Sequence, residues 1–426
     1  MNKKTCFACH LVCLSLICSV ARAQSSGEKF APSGMTLNDA SKILLLNNPD
    51  VLAAKALVNE FEARHKAAYS NFYPSLAVNL GRTETEAGAA RQKQYNYNLS
   101  GSYSLFSGMA DAAALKKSRF ELQKARSDYK TAETEAFFSL RRIFAQIASA
   151  KEQLVLNHEV IRRRQENVQL VKLKYNAGRE SNAALLETEA LLETSKWKKQ
   201  KTERELKTAQ KKLNQLLGRD IRLPILIMPA PVSPEPPLDF SDFEPELKTH
   251  PSVVSNEAGL NASREELSRI RGGFMPGASL SGAWGRADSE WPPDAKNWNW
   301  SFQINWPLFS GWKTKNDTKS ARAEINRVEE ILKKTRDDVF ISAEDSFLQW
   351  KETYSLMKVR EVTLNALSER AWLVKNQYVS GQTAYFEWRQ AEENLTSAQE
   401  QLLAAKYELE IAYAEFEKAM GRGINP

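Results

Sequence analysis

The chain has 426 residues, 42% hydrophobic and 26% charged, with a formal net charge of +7 and a mean hydropathy of −0.49. Past the first residues no stretch approaches the ~20 consecutive apolar positions of a membrane helix, so a bundle of spanning helices is excluded. A charge this mild, on a chain this long, also argues against a nucleic-acid partner.

The N-terminus carries Lys3 and Lys4, an apolar run from Leu11 to Val20, and the small-x-small triplet Ala21-Arg22-Ala23 before Gln24. This pattern predicts a secretory signal over residues 1–23, removed on export. Cys6, Cys9, Cys13 and Cys18 all lie inside it, so the mature chain is expected to hold no thiol for a disulfide, a metal or a nucleophile. Cys18 as a lipidated N-terminus is disfavoured by the bulky Ile17 before it. Loss of Lys3, Lys4 and Arg22, with no acid, takes the net charge from +7 to +4.

A helix is predicted to open at Thr36, a suitable N-cap, and to run toward Phe72-Tyr73-Pro74. A strand near Leu76 to Arg82 and a second near Tyr95 to Phe106 follow. In the second, Tyr95, Tyr97, Leu99, Gly101, Tyr103 and Leu105 alternate with Asn96, Asn98, Ser100, Ser102 and Ser104. A period of two with one aromatic face and one small polar face suits a wall with lipid on one side and water on the other. A half-buried strand of a soluble sandwich alternates in the same way.

From Met109 to Asn176 there is neither proline nor glycine, and the apolar period becomes seven. Leu140, Ile147, Leu154, Ile161, Val168 and Tyr175 form one row, with Tyr129, Ala136, Ile143, Ala150 and Val171 on a second. Such a row predicts a supercoiled helix of roughly 100 Å. It breaks at Gly178, and a second long helix from Asn182 to Leu217 should fold back against it.

Seven prolines between Pro224 and Pro245 then mark an extended connector, read as a strap lying on the helices. Beyond it the first half repeats. Asn48-Pro49 returns as His250-Pro251, Phe72-Tyr73-Pro74 as Phe274-Met275-Pro276, and Leu105-Phe106-Ser107-Gly108 as Leu308-Phe309-Ser310-Gly311. Tyr175 with Gly178 returns as Tyr378 with Gly381, and Gly218-Arg219 as Gly421-Arg422, always 202 or 203 residues later. The second strand pair carries Trp298, Trp300, Phe302, Ile304, Trp306 and Leu308 on one face, Asn299, Ser301, Gln303 and Asn305 on the other. Trp291-Pro292-Pro293-Asp294 forms the turn within it. The second long helix carries its own row of Ala343, Trp350, Met357, Leu364, Ala371 and Tyr378.

The expected organisation is a first repeat over 24–219 (strands about 75–106, helical hairpin about 109–217) and a connector over 220–248. A second repeat occupies 249–426 (strands about 277–309, hairpin about 312–420). The class is mainly α with a membrane β portion. Four strands are too few to close a barrel and would leave unpaired edges in lipid, so several copies must share one wall.

No catalytic or metal site is visible. His65, His158 and His250 are far apart, Glu187-Thr188-Glu189 and Glu392-Glu393 suit solvated helix faces, and Arg162-Arg163-Arg164 and Lys198-Lys199-Gln200-Lys201 suit coiled-coil exteriors. The chain is expected not to be an enzyme and to need no cofactor.

The duplicated unit resembles the outer-membrane efflux proteins, the TolC-like family, over about residues 35 to 422. The landmarks that carry it are Asn-Pro in the first helix, aromatic-x-Pro before the strand and Leu-Phe-Ser-Gly after the pair. Tyr-x-x-Gly at the tip and Leu-Gly-Arg at the end complete them. The resemblance implies a homotrimer with one twelve-stranded barrel in the Gram-negative outer membrane and an α-helical tunnel crossing the periplasm. It implies outer-membrane lipid around that barrel, with Tyr95, Tyr97, Tyr103, Trp298, Trp300 and Trp306 facing it. A periplasmic adaptor and an inner-membrane pump would be its partners, in efflux or type I secretion. Tyr175, Asn176, Gly178, Arg179, Tyr378 and Gly381 match adaptor-contacting tips, although Arg179 departs from the apolar residue relatives often carry. Glu387 matches an acid ring at the periplasmic entrance, and Gln390 stands where some relatives place a second acid. The rival reading is a periplasmic coiled-coil adaptor or structural protein, which would not need the two-faced, tryptophan-rich strands.

Overall fold

The computed structural model describes residues 34–87, 90–228 and 233–423. The expected signal with its four cysteines, and Pro229 and Pro231 of the connector, lie outside the described residues.

The chain begins with two helices rather than one, α1 (Leu37–Asn47) and α2 (Pro49–Ala68). Thr36 caps α1 through a reciprocal capping box with Asp39. The predicted continuous helix breaks at Asn48, since a residue before proline is pushed out of the α region, and Asn48 sits at φ −66°, ψ 126°. Its Oδ1 accepts from the amides of Asp50 and Val51 at 3.0 Å each, and its Nδ2 donates to the Leu216 carbonyl at 2.8 Å. The break is thus a capped joint.

Next come β1 (Ser75–Ala87), β2 (Ala90–Phe106), α3 (Ala110–Asn176) and α4 (Asn182–Leu216). After the connector the order repeats as α6 (Pro251–Arg271), β3 (Gly277–Asp288), β4 (Lys296–Asn305), α7 (Lys313–Ser380) and α8 (Tyr385–Ala419). α3 and α7 have 67 and 68 residues, about 100 Å at 1.5 Å per residue. The connector is not wholly extended: Pro245 lies in the first turn of a short helix, α5 (Glu244–Leu247), where its missing amide is harmless.

Backbone torsions repeat with the sequence. Each strand pair ends in two successive left-handed residues, Gly108-Met109 and Gly311-Trp312, which turn the chain into its long helix. A Cβ on Gly108 would collide with the Gly272 carbonyl oxygen, so no larger residue fits there.

One sheet holds all four strands, antiparallel, in the order β1-β2-β3-β4. Below it α2 and α6 lie on the near half of α3, through Arg126–Glu62 (2.7 Å), Lys117–Glu266 (3.2 Å) and Ser255–Asp128 (2.6 Å). α4 and α8 cover its far half, where Asn157 meets Thr202 and Arg163 meets Gln399. α2 and α4 therefore abut along α3, and at the joint a Cβ on Gly218 would collide with the Asn47 carbonyl oxygen.

A collar surrounds these joints. Leu140, Phe144 and Ile147 of α3 pack with α1, the end of α4 and connector residues Ile225 and Ile227. Phe347, Trp350, Leu409 and Phe416 pack with connector residues Phe240 and Leu247. Met35 bridges Ile227 in parallel, and Lys151 and Lys351 donate to connector carbonyls. The described parts of the connector thus lie against the helices.

The predicted heptad row on α3 is covered only at the collar. Leu140 and Ile147 are buried, Leu154, Ile161 and Val168 are half-buried, and Tyr175 is exposed. Below the collar α4 and α8 face α3, and their seam is the neighbouring row. That row runs from Ala136 and Ile143 through half-buried Ala150 to the buried Asn157, Arg164 and Val171.

Candidate functional site

The sheet register assigns each strand residue to a face, because cross-strand partners share a side. On one side lie Leu76, Val78, Leu80, Tyr95, Tyr97, Leu99 and Tyr103, with Leu280, Trp284, Trp298, Trp300, Phe302 and Ile304. Leu76, Val78, Leu80, Trp284, Trp298 and Trp300 are 66–75% exposed, so none of the described residues packs over this face. Trp306 and Leu308, predicted to continue the strand, lie past its end at Asn305, because Pro307 cannot extend a ladder. Leu105 falls at an irregularity between Ser104 and Phe106.

The opposite face is uniform in another way. Asn79, Thr83, Asn96, Asn98, Ser100 and Ser102 meet Ser279, Ser281, Asn299, Ser301, Gln303 and Asn305, with glycine and alanine between. Arg82, Glu84, Glu86, Lys93, Arg286, Asp288 and Lys296 all fall on the apolar side, beyond its apolar band and toward the hairpin ends. Arg82 lies over the Tyr95 ring and Arg286 pairs with Asp294 at 2.5 Å. Charges thus border the apolar stripe on its hairpin side, as at the rim of a bilayer-facing surface. Among the described residues, β1 and β4 each keep one edge with no strand beside it.

At the other end of the molecule the two helical hairpins turn. α3 closes on left-handed Gly178, with Arg179 N–H reaching the Lys174 carbonyl at 2.8 Å, and α7 closes likewise on Gly381, with Gln382 N–H to Gln377 at 2.8 Å. Tyr175, Asn176, Gly178 and Arg179 are exposed at the first tip. Tyr378 is not: its ring is 2% exposed, stacked on Trp388 at 4.5 Å, and its hydroxyl donates to Glu180 Oε2 at 2.8 Å. Burial, and then the Glu180 carboxylate, push that phenol's pKa above the usual range, so the hydroxyl stays a donor. Lys174 lies 3.9 Å from the same ring centroid and donates to the Tyr378 carbonyl. The second-repeat tyrosine therefore ties the two tips together rather than presenting a surface.

Trp388, Glu180 and Lys174 were not marked by sequence reasoning. The signal for Trp388 was available, since Trp388, Leu395, Leu402, Leu409 and Phe416 recur every seven residues along α8.

Glu387 is exposed in the first turn of α8, and Gln390, half-buried, donates to Asn394 Oδ1 at 3.0 Å. One turn above, two sequence expectations fail. Arg164 and Glu392, read as exterior positions, are 7% and 5% exposed among Asn167, Thr188, Tyr385 and Trp388. Burial depresses the Arg164 pKa while Glu392 opposes the shift. Charge type alone placed them outside; their seam position places them inside. Among the described residues no group of His, Cys, Asp and Glu could hold a metal ion.

The signature of the family described as "Outer membrane efflux protein" matches residues 40–219 and 244–422. Protein CyaE of Bordetella pertussis is 25% identical over 317 residues, 71% of this chain and 66% of that one. The cation efflux system protein CusC of Escherichia coli K12 is 21% identical over 398 residues, 89% of this chain and 85% of that one. A crystal structure of CusC superposes with a TM-score of 0.82 at 19% identity, covering 91% of this chain and 92% of that one. The alkaline protease secretion protein AprF of Pseudomonas aeruginosa is 22% identical over 279 residues, 62% of this chain and 57% of that one.

Proposed function

We propose a function that follows from one premise: the chain belongs to the outer membrane efflux protein family. It is an outer-membrane channel extending into the periplasm, the passive exit duct of an efflux or type I secretion system. The observation that carries this reading is the two-faced sheet, apolar and aromatic on one side, uncharged and polar on the other, with both edges open.

Open edges in lipid leave backbone groups unsatisfied at several kcal/mol each, so copies of the chain join edge to edge. Three copies give twelve strands and room for water inside. Apolar side chains exposed along α7 (Ile341, Leu348, Val359, Val362) and along α2 (Leu52, Leu57) support this assembly. They lie on the helices that continue from the two edge strands, and a neighbour would cover them.

The exposed tip residues Tyr175, Asn176, Gly178 and Arg179, with Gly381, are the docking surface for a periplasmic adaptor that links the channel to an inner-membrane pump. Glu387, repeated around the axis, forms an acidic ring at the tunnel entrance that favours cations. Reconstitution into a planar lipid bilayer tests the channel. Discrete conductance steps are expected, with cation selectivity reduced in Glu387→Ala. A water-soluble monomer that conducts no ions would instead support the periplasmic scaffold reading.

A further inference from the structure

The repeat specifies how neighbouring copies join, because the chain already contains one junction between repeats. Within the first repeat Ser75 faces Ser102 and Val78 faces Leu99; within the second Gly277 faces Asn305 and Leu280 faces Phe302. The two registers superimpose when 202 is added along β1 and 203 along β2. Those are the offsets of the flanking landmarks, Pro74 to Pro276 and Leu105 to Leu308. β1 and β3 are thus equivalent strands, as are β2 and β4, residue for residue.

β2 meets β3 where one repeat joins the next, with Ser102 facing Ser281, Asn98 facing Gly285 and Leu99 facing Trp284. The open edges of the protomer are β4 and β1, the counterparts of these same two strands. We infer that β4 of one copy pairs with β1 of the next in the register of the internal β2–β3 junction. The partner is a second copy of this chain, and the inference rests on the edge-to-edge assembly argued above.

Shifting Asn98 by 203 and Gly285 back by 202 places Ser301 opposite Thr83 of the next copy. The same shift places Asn305 opposite Asn79 and Phe302 opposite Arg82 of the next copy. Polar positions meet polar positions on the inward side, and on the outward side Ile304 meets Leu80 while Phe302 meets Arg82, whose aliphatic stem can lie along the ring. The internal ladder becomes irregular after Ser104. Its counterpart on β4 is Pro307, which has no amide to donate, so the regular seam ends at the same height as the internal junction.

Disulfide trapping tests the register, since the chain has no cysteine beyond Cys18. β1 and β4 lie three strand spacings apart within a protomer, about 14 Å, too far for an intrachain bridge. Any bridge between them is therefore intermolecular. Four double variants are compared: Ser301→Cys with Thr83→Cys, Asn305→Cys with Asn79→Cys, and the crossed pairs Ser301→Cys with Asn79→Cys and Asn305→Cys with Thr83→Cys. Each substitution then appears once in a matched and once in a mismatched pair four residues off, about 13 Å.

Under mild oxidation the matched pairs should give covalently closed oligomers on denaturing gels, with bridge formation at least tenfold faster than in the crossed pairs. Crossed pairs that bridge as fast as the matched ones, or faster, would overturn the register while leaving the channel intact. Protein that stays monomeric, with no pair bridging, would overturn the shared wall itself.

Discussion

Asn48 and His250 occupy the same place in the two repeats and do the same work with different chemistry. Asn48 caps α2 with an amide oxygen, and His250 caps α6 with ring Nδ1, which accepts the Ser252 amide at 3.2 Å. An imidazole can accept there only while Nδ1 is unprotonated, and burial lowers its pKa below the ordinary 6.5. The unfolded chain then binds the proton more readily than the folded one. The stability this cap lends is complete above pH 6.5 and is lost as the pH falls through that value toward the depressed folded one. Thermal unfolding followed from pH 8 to pH 5 should show a drop that His250→Asn flattens, whereas Asn48→Ala, which keeps His250, should lower stability about equally at every pH and leave the drop in place. At the tips, Tyr378→Phe removes the hydroxyl bonded to Glu180 and should cost about 1–2 kcal/mol locally. Faster hydrogen exchange over residues 176–184 is the readout, and unchanged protection would refute the tie.

The helices show what could and could not be read in advance. Period-two strands, the glycines at 178 and 381 and the prolines at strand entry were legible because each states a backbone requirement that no tertiary context changes. The burial of Arg164 and Glu392 was not, since an isolated charged residue reads as solvent-facing until its heptad neighbours are placed. Nor was the unequal fate of Tyr175 and Tyr378, which depends on Trp388 and Glu180 meeting across two hairpins. The split at Asn48 was half legible: Asn-Pro served as a repeat landmark but not as a joint. Arg164 and Glu392 attract one another inside their cluster without a direct ion pair, and removing one buried charge leaves the other uncompensated, whereas replacing both with apolar residues is often neutral. Glu392→Leu alone should therefore lower the unfolding midpoint markedly, and the double variant Arg164→Met with Glu392→Leu should recover most of it. Equal losses in both would show that the two charges do not compensate one another.

For the whole molecule, the decisive property is which solvent each face meets. Trp300 stands mid-strand on the outward face, in the row that joins Leu76, Gly101 and Gly282 across the sheet. Trp300→Lys would place an ammonium near the bilayer midplane at about 2–4 kcal/mol per copy. The expected outcome is loss of the heat-sensitive oligomer from outer-membrane fractions, while Ser301→Lys on the other face leaves assembly intact.

The side of the sheet lined by asparagine, serine and glutamine bears on what can travel past it. Rolled into a ring, it offers amides and hydroxyls that hold a film of water but carry no fixed sign. A passenger of either polarity meets neither a trap nor a repellent along that stretch, and a long polymer of mixed charge can slide without catching. Discrimination between anions and cations is left to the helical stretch upstream, where carboxylates and guanidinium groups are plentiful.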